Sequence, residues 1–243
     1  MVVGLDSFKE WFSGFQSYYV IIGGTACDML MSGAGAEFRA TRDIDMVLLV
    51  ETLDVEFGSH FWEYIKNAGY EYRSKSTGKP IYYRFTNPKS AEFPAMIELF
   101  SRRIEGIELP PDAVLSPIPL GEDISSLSAI LLDDEYYDFL QSGVTISDGV
   151  PVLSATHLIP FKAKAWLDLT ERKANGKHVD SRDIRKHKND ILRLSALLLP
   201  DVVLALPNTV MNDMQAFLTE VEESGKYARV ADAYALSKAS PQN

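Results

Sequence analysis

The chain has 243 residues, 46% hydrophobic and 24% charged, the composition of one large or two small globular domains. A formal net charge of −10 argues against broad nucleic-acid binding over the whole surface. The single cysteine, Cys27, excludes an intrachain disulfide and a cysteine zinc cluster. With no signal-peptide pattern and no apolar run of membrane-spanning length, the expectation is a cytoplasmic protein with no membrane partner.

In chain order, Phe8, Trp11, Phe12 and Phe15 follow i, i+3, i+4, i+7 and predict the core face of a helix. Tyr18–Ile22 predicts a buried strand. Gly23-Gly24 breaks it, and Thr25 is placed to N-cap a helix through Ala26, Met29 and Leu30. A strand, a glycine turn and a helix N-terminus form a phosphate cradle, with free N–H groups, the positive end of a dipole and no side chains in the way. The other reading of the glycine pair is a plain strand-to-helix turn.

Gly33-Ala34-Gly35-Ala36 predicts a flexible break, and Asp43–Val50 the next strand. On a strand, residues i and i+2 share a face, so Asp43 and Asp45 project side by side where the apolar run Met46–Val50 begins. Carboxylates that close repel each other, and the simplest cation to sit between them is a hard divalent ion with oxygen ligands. Alone, an Asp-x-Asp is equally a capping or turn pair. Beside a phosphate cradle it suggests a nucleoside triphosphate with magnesium.

Asp54 predicts the cap of a helix to Ala68 with Phe57, Phe61 and Ile65 inward, stopped by Gly69. Tyr70–Ser74 and Ile81–Phe85 predict a hairpin around Lys75–Pro80. Its Ser76-Thr77-Gly78-Lys79 is no P-loop, because Arg73 stands where the upstream glycine belongs. Ala95–Phe100 predicts a strand carrying one charge, Glu98, on the face of Met96 and Phe100. A carboxylate there is either ion-paired or a ligand. Glu92, in a polar loop near Pro94, is its competitor. Pro110–Gly121 holds four prolines and predicts an irregular connection. Ala129–Leu132 predicts a strand, Glu135–Gln141 a short helix, and Asp148-Gly149 a turn near a domain boundary.

From about residue 151 the chain predicts helices. The first follows Ser154, with Leu158, Phe161, Ala165, Trp166 and Leu169 inward and Pro160 kinking it or delaying its start. It ends at Asn175-Gly176-Lys177. A second starts at Asp180 or Ser181, with Ile184, Ile191, Leu194 and Leu198 inward, and stops before Pro200. A third covers Thr209–Val221, and the tail from Ser240 is loose. Residues 162–193 carry ten Lys/Arg against five Asp/Glu, a charge of +5 that leaves −15 for the rest. Such a run is ordinarily a solvated helix face; it is also what an anionic substrate would want. The four histidines lack zinc spacing, and no Gly-x-Ser-x-Gly elbow supports a hydrolase triad.

Gly23-Gly24 followed by Arg39-x-Thr41-x-Asp43-Ile44-Asp45 resembles the nucleotidyltransferase superfamily of DNA polymerase β-like fold, and within it the abortive-infection (type IV toxin) nucleotidyltransferases. The resemblance is specific over Ile22–Val50, and residues 25–42 make a longer spacer than is general in the superfamily. It implies an α/β core with a mixed twisted sheet flanked by helices in residues 1–150, then a helical domain in 151–243. The implied reaction moves a nucleoside monophosphate from an NTP to an acceptor hydroxyl or phosphate, possible acceptors including tRNA bound through 162–193. Asp43, Asp45 and Glu98 would hold two Mg²⁺ ions, with Glu98 also drawing the acceptor proton. Gly23, Gly24, Thr25, Arg39 and Thr41 would hold the nucleotide. By the same resemblance a Lys on the first helix of the C-terminal part and an Asp on the next reach the nucleotide. Lys164 matches best, as a catalytic residue, with Lys162 half a turn away, and Asp190 is the acid. A toxin-like role with an antitoxin partner is implied too. The rivals are transfer to a small molecule, which the overall acidity favours, and a catalytically silent nucleotide- or partner-binding module on the same fold.

Overall fold

A computed structural model describes residues 2–73, 80–104, 115–118, 127–200, 203–221 and 224–236. Among them the chain is α/β, with eight strands in one mixed sheet and eight α-helices. It divides into two compact units: a sheet unit, Met1–Tyr137 with Val144–Leu153, and a helical unit, Asp138–Gly143 with Ser154–Asn243.

In the sheet unit α1 (Leu5–Trp11) precedes β1 (Tyr19–Ile22), which runs straight into α2 (Gly23–Gly33). Then come β2 (Asp43–Leu48), α3 (Val55–Ala68), β3 (Arg84–Thr86), β4 (Met96–Ser101), β5 (Leu115–Ile118) and β6 (Leu127–Leu131). Helix α4 (Asp134–Ser142) leads to the hairpin β7 (Val144–Ser147) and β8 (Val150–Leu153). The sheet order is β5-β6-β4-β2-β1-β8-β7, with β3 also on β4. β2 is antiparallel to β1 and parallel to β4. The outer edge of β4 is shared: β3 pairs along Met96–Glu98, and β6 along Phe100 and Ser101.

One sheet face is apolar and is covered by an aromatic cluster. Tyr19 meets Phe8 of α1 at 5.6 Å and Phe12 at 5.9 Å, and Phe85 of β3 meets Phe61 of α3 at 5.4 Å. Asp54 caps α3 by accepting from Phe57 N at 2.8 Å, and Gly69 closes it with φ 64°. These buried rings supply the burial that fixes the sheet's register, since a one-residue slip would turn Ile44 and Met46 outward and Asp45 inward.

Several expectations are corrected. Helix α1 stops at Trp11, and Phe15 lies past Gly14 (φ 92°), stacked on His60. β2 ends at Leu48, two residues early. Part of the Pro110–Gly121 stretch is a strand, β5; its Pro117 is exposed and stands at the end of the sheet order, where a residue without an N–H breaks no ladder. Asp148-Gly149 (φ 48° and 77°) is the turn of a full hairpin, β7–β8, and β8 returns to the sheet parallel to β1. The Tyr70–Ser74 and Ile81–Phe85 pairing survives as antiparallel bridges Glu71↔Thr86 and Arg73↔Pro80. The loop 74–79, most of 110–121 and the tail from 240 lie outside the described residues.

In the helical unit α5 (Ala155–Ala174) is followed by α6 (Ser181–Leu194), α7 (Asn208–Glu220) and α8 (Ala228–Ala233). Pro160 sits inside α5 without ending it. It cannot donate to the carbonyl of Thr156, and the buried Tyr234 hydroxyl donates there instead at 2.5 Å. The buried stripe of α5 is His157, Leu158, Ile159, Lys162, Ala163 and Trp166; Phe161, Ala165 and Leu169, expected inward, are half-buried.

Candidate functional site

The site in the sheet unit is assembled where β1 turns into α2. Gly23 has φ 71°, left-handed geometry that suits glycine, and a Cβ there would overlap Asp45 Oδ2. A Cβ on Gly24 would lie 2.8 Å from Thr41 Oγ1 and 3.2 Å from Arg39 Nη2. Both glycines are therefore spaces filled by the side chains of the Arg39–Asp45 segment. Gly23, Gly24, Arg39, Thr41 and Asp45 converge at the N-terminus of α2.

Thr25 is a correction. It does not cap α2, which already starts at Gly23; its hydroxyl donates to the carbonyl of Asp43 at 2.6 Å. That bond ties the first turn of α2 to the start of β2. The glycine pair replaces a side-chain cap, because a helix that leaves a strand without a turn has no room for one.

The register places the carboxylates. Asp45 pairs with Ile22 on β1 and with Glu98 on β4, while Asp43 pairs with Met96. Directly paired residues share a face, so Asp43, Asp45 and Glu98 lie on the sheet face opposite Ile44 and Met46. Among the described residues the Asp43 carboxylate has no hydrogen bond or ion pair. Glu98 does: its cross-strand partner on β3 is Arg84, whose Nε donates to Oε1 at 2.6 Å and whose Nη2 pairs with the same oxygen. The Glu98 side chain is 12% exposed and that of Arg84 47%. Of the two readings open for Glu98, the ion pair with Arg84 is present, and both of its contacts fall on Oε1.

Sequence reasoning missed Arg84. The alternation of β3, with Phe85 in the core, puts Arg84 on the carboxylate face, but only the register of β3 on β4 brings it to Glu98. Among the described residues no group of three or more His, Cys, Asp or Glu could hold a metal ion. Asp43 and Asp45 alone are two carboxylates on one strand face, and Mg²⁺ in general binds through one or two carboxylates with substrate phosphates and retained waters rather than in an all-protein cage.

The remaining expected residues lie in the helical unit. Lys162, 5% exposed, meets the fully buried Asp190 at 3.3 Å, and Arg193 adds a second cation at 3.7 Å. It is thus Lys162, not Lys164, that the α5–α6 packing brings to Asp190. Lys164 points to Asp168 at 3.3 Å and Asp213 at 3.6 Å. Burial alone depresses its ammonium, and those two carboxylates more than offset this, so its pKa is raised. Five of the ten basic side chains of the run are ion-paired; besides Lys162, Lys164 and Arg193, Arg182 pairs with Asp180 and Lys186 with Asp183. Arg172, Lys177, Arg185 and Lys188 have no ion-pair partner among the described residues.

Comparison with protein-family models, with curated proteins and with solved structures gives no match to this chain.

Proposed function

We propose that this protein is a Mg²⁺-dependent nucleotidyltransferase that moves a nucleoside monophosphate from an NTP to an acceptor hydroxyl or phosphate and releases pyrophosphate. The observation that carries the proposal is the convergence of Gly23, Gly24, Arg39, Thr41 and Asp45 at the start of α2, with Asp43 two residues before Asp45 on the same strand face. The first N–H groups of α2 offer unpaired donors and the positive end of the helix dipole to phosphate oxygens. Arg39, beside Gly24, brings a planar fork of donors to the same place. Asp43 and Asp45 would hold Mg²⁺, which when bound neutralises charge on the phosphates. Phosphoryl transfer asks mainly for positioning and charge, so Glu98, engaged by Arg84, is not required as a base.

The resemblance drawn from the sequence supports RNA, tRNA included, as acceptor, and a toxin-like role with an antitoxin partner. The ion pairing within 162–193 weakens the basic segment as an RNA surface and leaves small-molecule transfer as the rival acceptor. The test is incubation with four α-labelled NTPs, Mg²⁺ and total RNA, with Asp45→Asn in parallel. Label transferred by the wild type and not by the variant supports the proposal. A second reading, a silent nucleotide-binding module, is favoured by the Glu98–Arg84 pair and predicts Mg²⁺-dependent NTP binding with no label transferred to any acceptor.

A further inference from the structure

We infer that Arg84 is the fixed cation of this site, a guanidinium standing where a second metal ion would otherwise be held, with Glu98 as its anchor rather than a metal ligand. The inference rests on the nucleotidyltransferase reading and deepens it. Asp45, Glu98 and Arg84 form one lateral row across β2, β4 and β3. Directly paired side chains on neighbouring strands have their Cβ atoms about 5 Å apart. Without Arg84, Asp45 and Glu98 would be adjacent like charges; with it, the row is neutralised at its outer end.

The pairing also answers the charge of Glu98, through one of its two oxygens. Nε and Nη2 of Arg84 both engage Oε1. A guanidinium has five N–H donors in a rigid fork, so donors remain after Glu98 is satisfied. Arg84 is the exposed member of the pair and Glu98 the covered one. The anchor is inside and the cation outside, which is the arrangement for receiving an anion. β3 reaches Glu98 because β6 pairs β4 only from Phe100 onward, leaving Met96–Glu98 for Arg84–Thr86. The ligand class is a polyphosphate whose oxygens lie along the Asp43–Asp45–Glu98 face. Arg84 touches it, and Glu98 is a positioning residue.

The experiment uses the full chain, Mn²⁺ in place of Mg²⁺, and an NTP analogue with a non-hydrolysable α–β bridge. Bound Mn²⁺ is counted by electron spin resonance and nucleotide affinity is measured by calorimetry. Wild type should hold one Mn²⁺ per chain, and Glu98→Gln should still hold one. Arg84→Ala should weaken nucleotide binding by about 10- to 100-fold, the range for lost hydrogen bonds to charged groups, with Arg84→Lys in between. Circular dichroism melts of Arg84→Lys and Glu98→Gln keep the test valid should Arg84→Ala fold poorly. Two Mn²⁺ in wild type falling to one in Glu98→Gln overturns the inference, as does unchanged nucleotide affinity in both Arg84 variants. In either case loss of metal–nucleotide binding in Asp45→Asn leaves the nucleotidyltransferase reading standing. No Mn²⁺–nucleotide binding by wild type overturns both.

Discussion

In the sheet unit three carboxylates share one face of two neighbouring strands, and one of them, Glu98, is held by a half-exposed arginine. In the helical unit Asp190 is fully buried and held between Lys162 and Arg193. The first arrangement leaves charge facing outward, where a cation or an anionic ligand changes its energy. The second seals charge inside a helix pair, where breaking it costs stability. Removing a charge should therefore lower function in one region and lower stability in the other.

Asp45→Asn tests the open side and carries the largest effect. Nucleotidyl transfer should fall more than about a thousandfold, or ~4 kcal/mol of transition-state stabilisation. The melting temperature should stay near that of the wild type, because Asn keeps the shape of Asp45 and one fewer carboxylate stands beside Asp43. A variant that melts lower and transfers normally would make Asp45 a structural residue and dissolve the contrast.

Asp190→Asn tests the sealed side. It keeps the shape and leaves Lys162 buried without its full counter-charge, so unfolding should become easier by about 3 kcal/mol. Lys162→Met with Asp190→Leu should recover most of that loss, since a well-packed apolar pair replaces a buried ion pair at little cost. Urea midpoints at one pH measure both. A wild-type midpoint in Asp190→Asn would show that the pair is not sealed.

How far this contrast is legible in the sequence depends on what fixes each residue. Gly23, Gly24, Arg39, Thr41, Asp43 and Asp45 are close in sequence, and one strand–helix–strand excursion is enough to bring them together. Glu98 was placed on the correct face by strand alternation, but its partner depends on the register of a three-residue strand, which alternation does not set. The hairpin β7–β8 was marked only by Asp148-Gly149, because Val144 and Ile146 are exposed and show no inward face to pair with the turn signal. Lys162 is the second candidate beside Lys164, and its burial is legible: Leu158, Lys162 and Trp166 are spaced i, i+4, i+8, so a stripe through the two apolar residues carries the lysine inward with them. A charge in an apolar stripe is the sequence signature of a buried pair.

His157 extends the sealed side to a neutral group. Its ring lies against Gly143, where a Cβ would overlap it, with Nε2 3.2 Å from Ser142 Oγ and Nδ1 2.9 Å from Ser154 Oγ. Burial pushes its pKa down to about 4. An unfolded histidine titrates near 6.5, so between roughly pH 6.5 and 4 the unfolded chain binds a proton that the folded chain does not. Stability is complete above that window and falls as pH drops through it. From pH 7 to pH 5 the loss from this residue should be roughly 2 kcal/mol. His157→Gln should flatten that part of the curve, and an unchanged pH slope would mean that another group carries it.

Lys164→Ala should have the smallest effect. Lys164 is 43% exposed and its partner Asp168 52%, with Asp213 less open at 20%. Pairs with that much solvent contribute about 0–1 kcal/mol, since side-chain entropy and screening offset most of the attraction. The loss should be less than about 1 kcal/mol and should vanish in 1 M salt, where the Debye length falls to about 3 Å. This residue is also where the resemblance to nucleotidyltransferases and the observed pairing diverge most, because the former gives it a catalytic role and the latter gives it two carboxylates. Transfer rates decide between them. A rate within about twofold of wild type assigns Lys164 to the surface pairs with Asp168 and Asp213. A tenfold or larger fall in kcat at unchanged stability, about 1.4 kcal/mol by transition-state arithmetic, would mean that the lysine leaves those carboxylates during the reaction. The helical unit's charge would then not be purely structural, and the division between an open and a sealed region would have to be redrawn around α5.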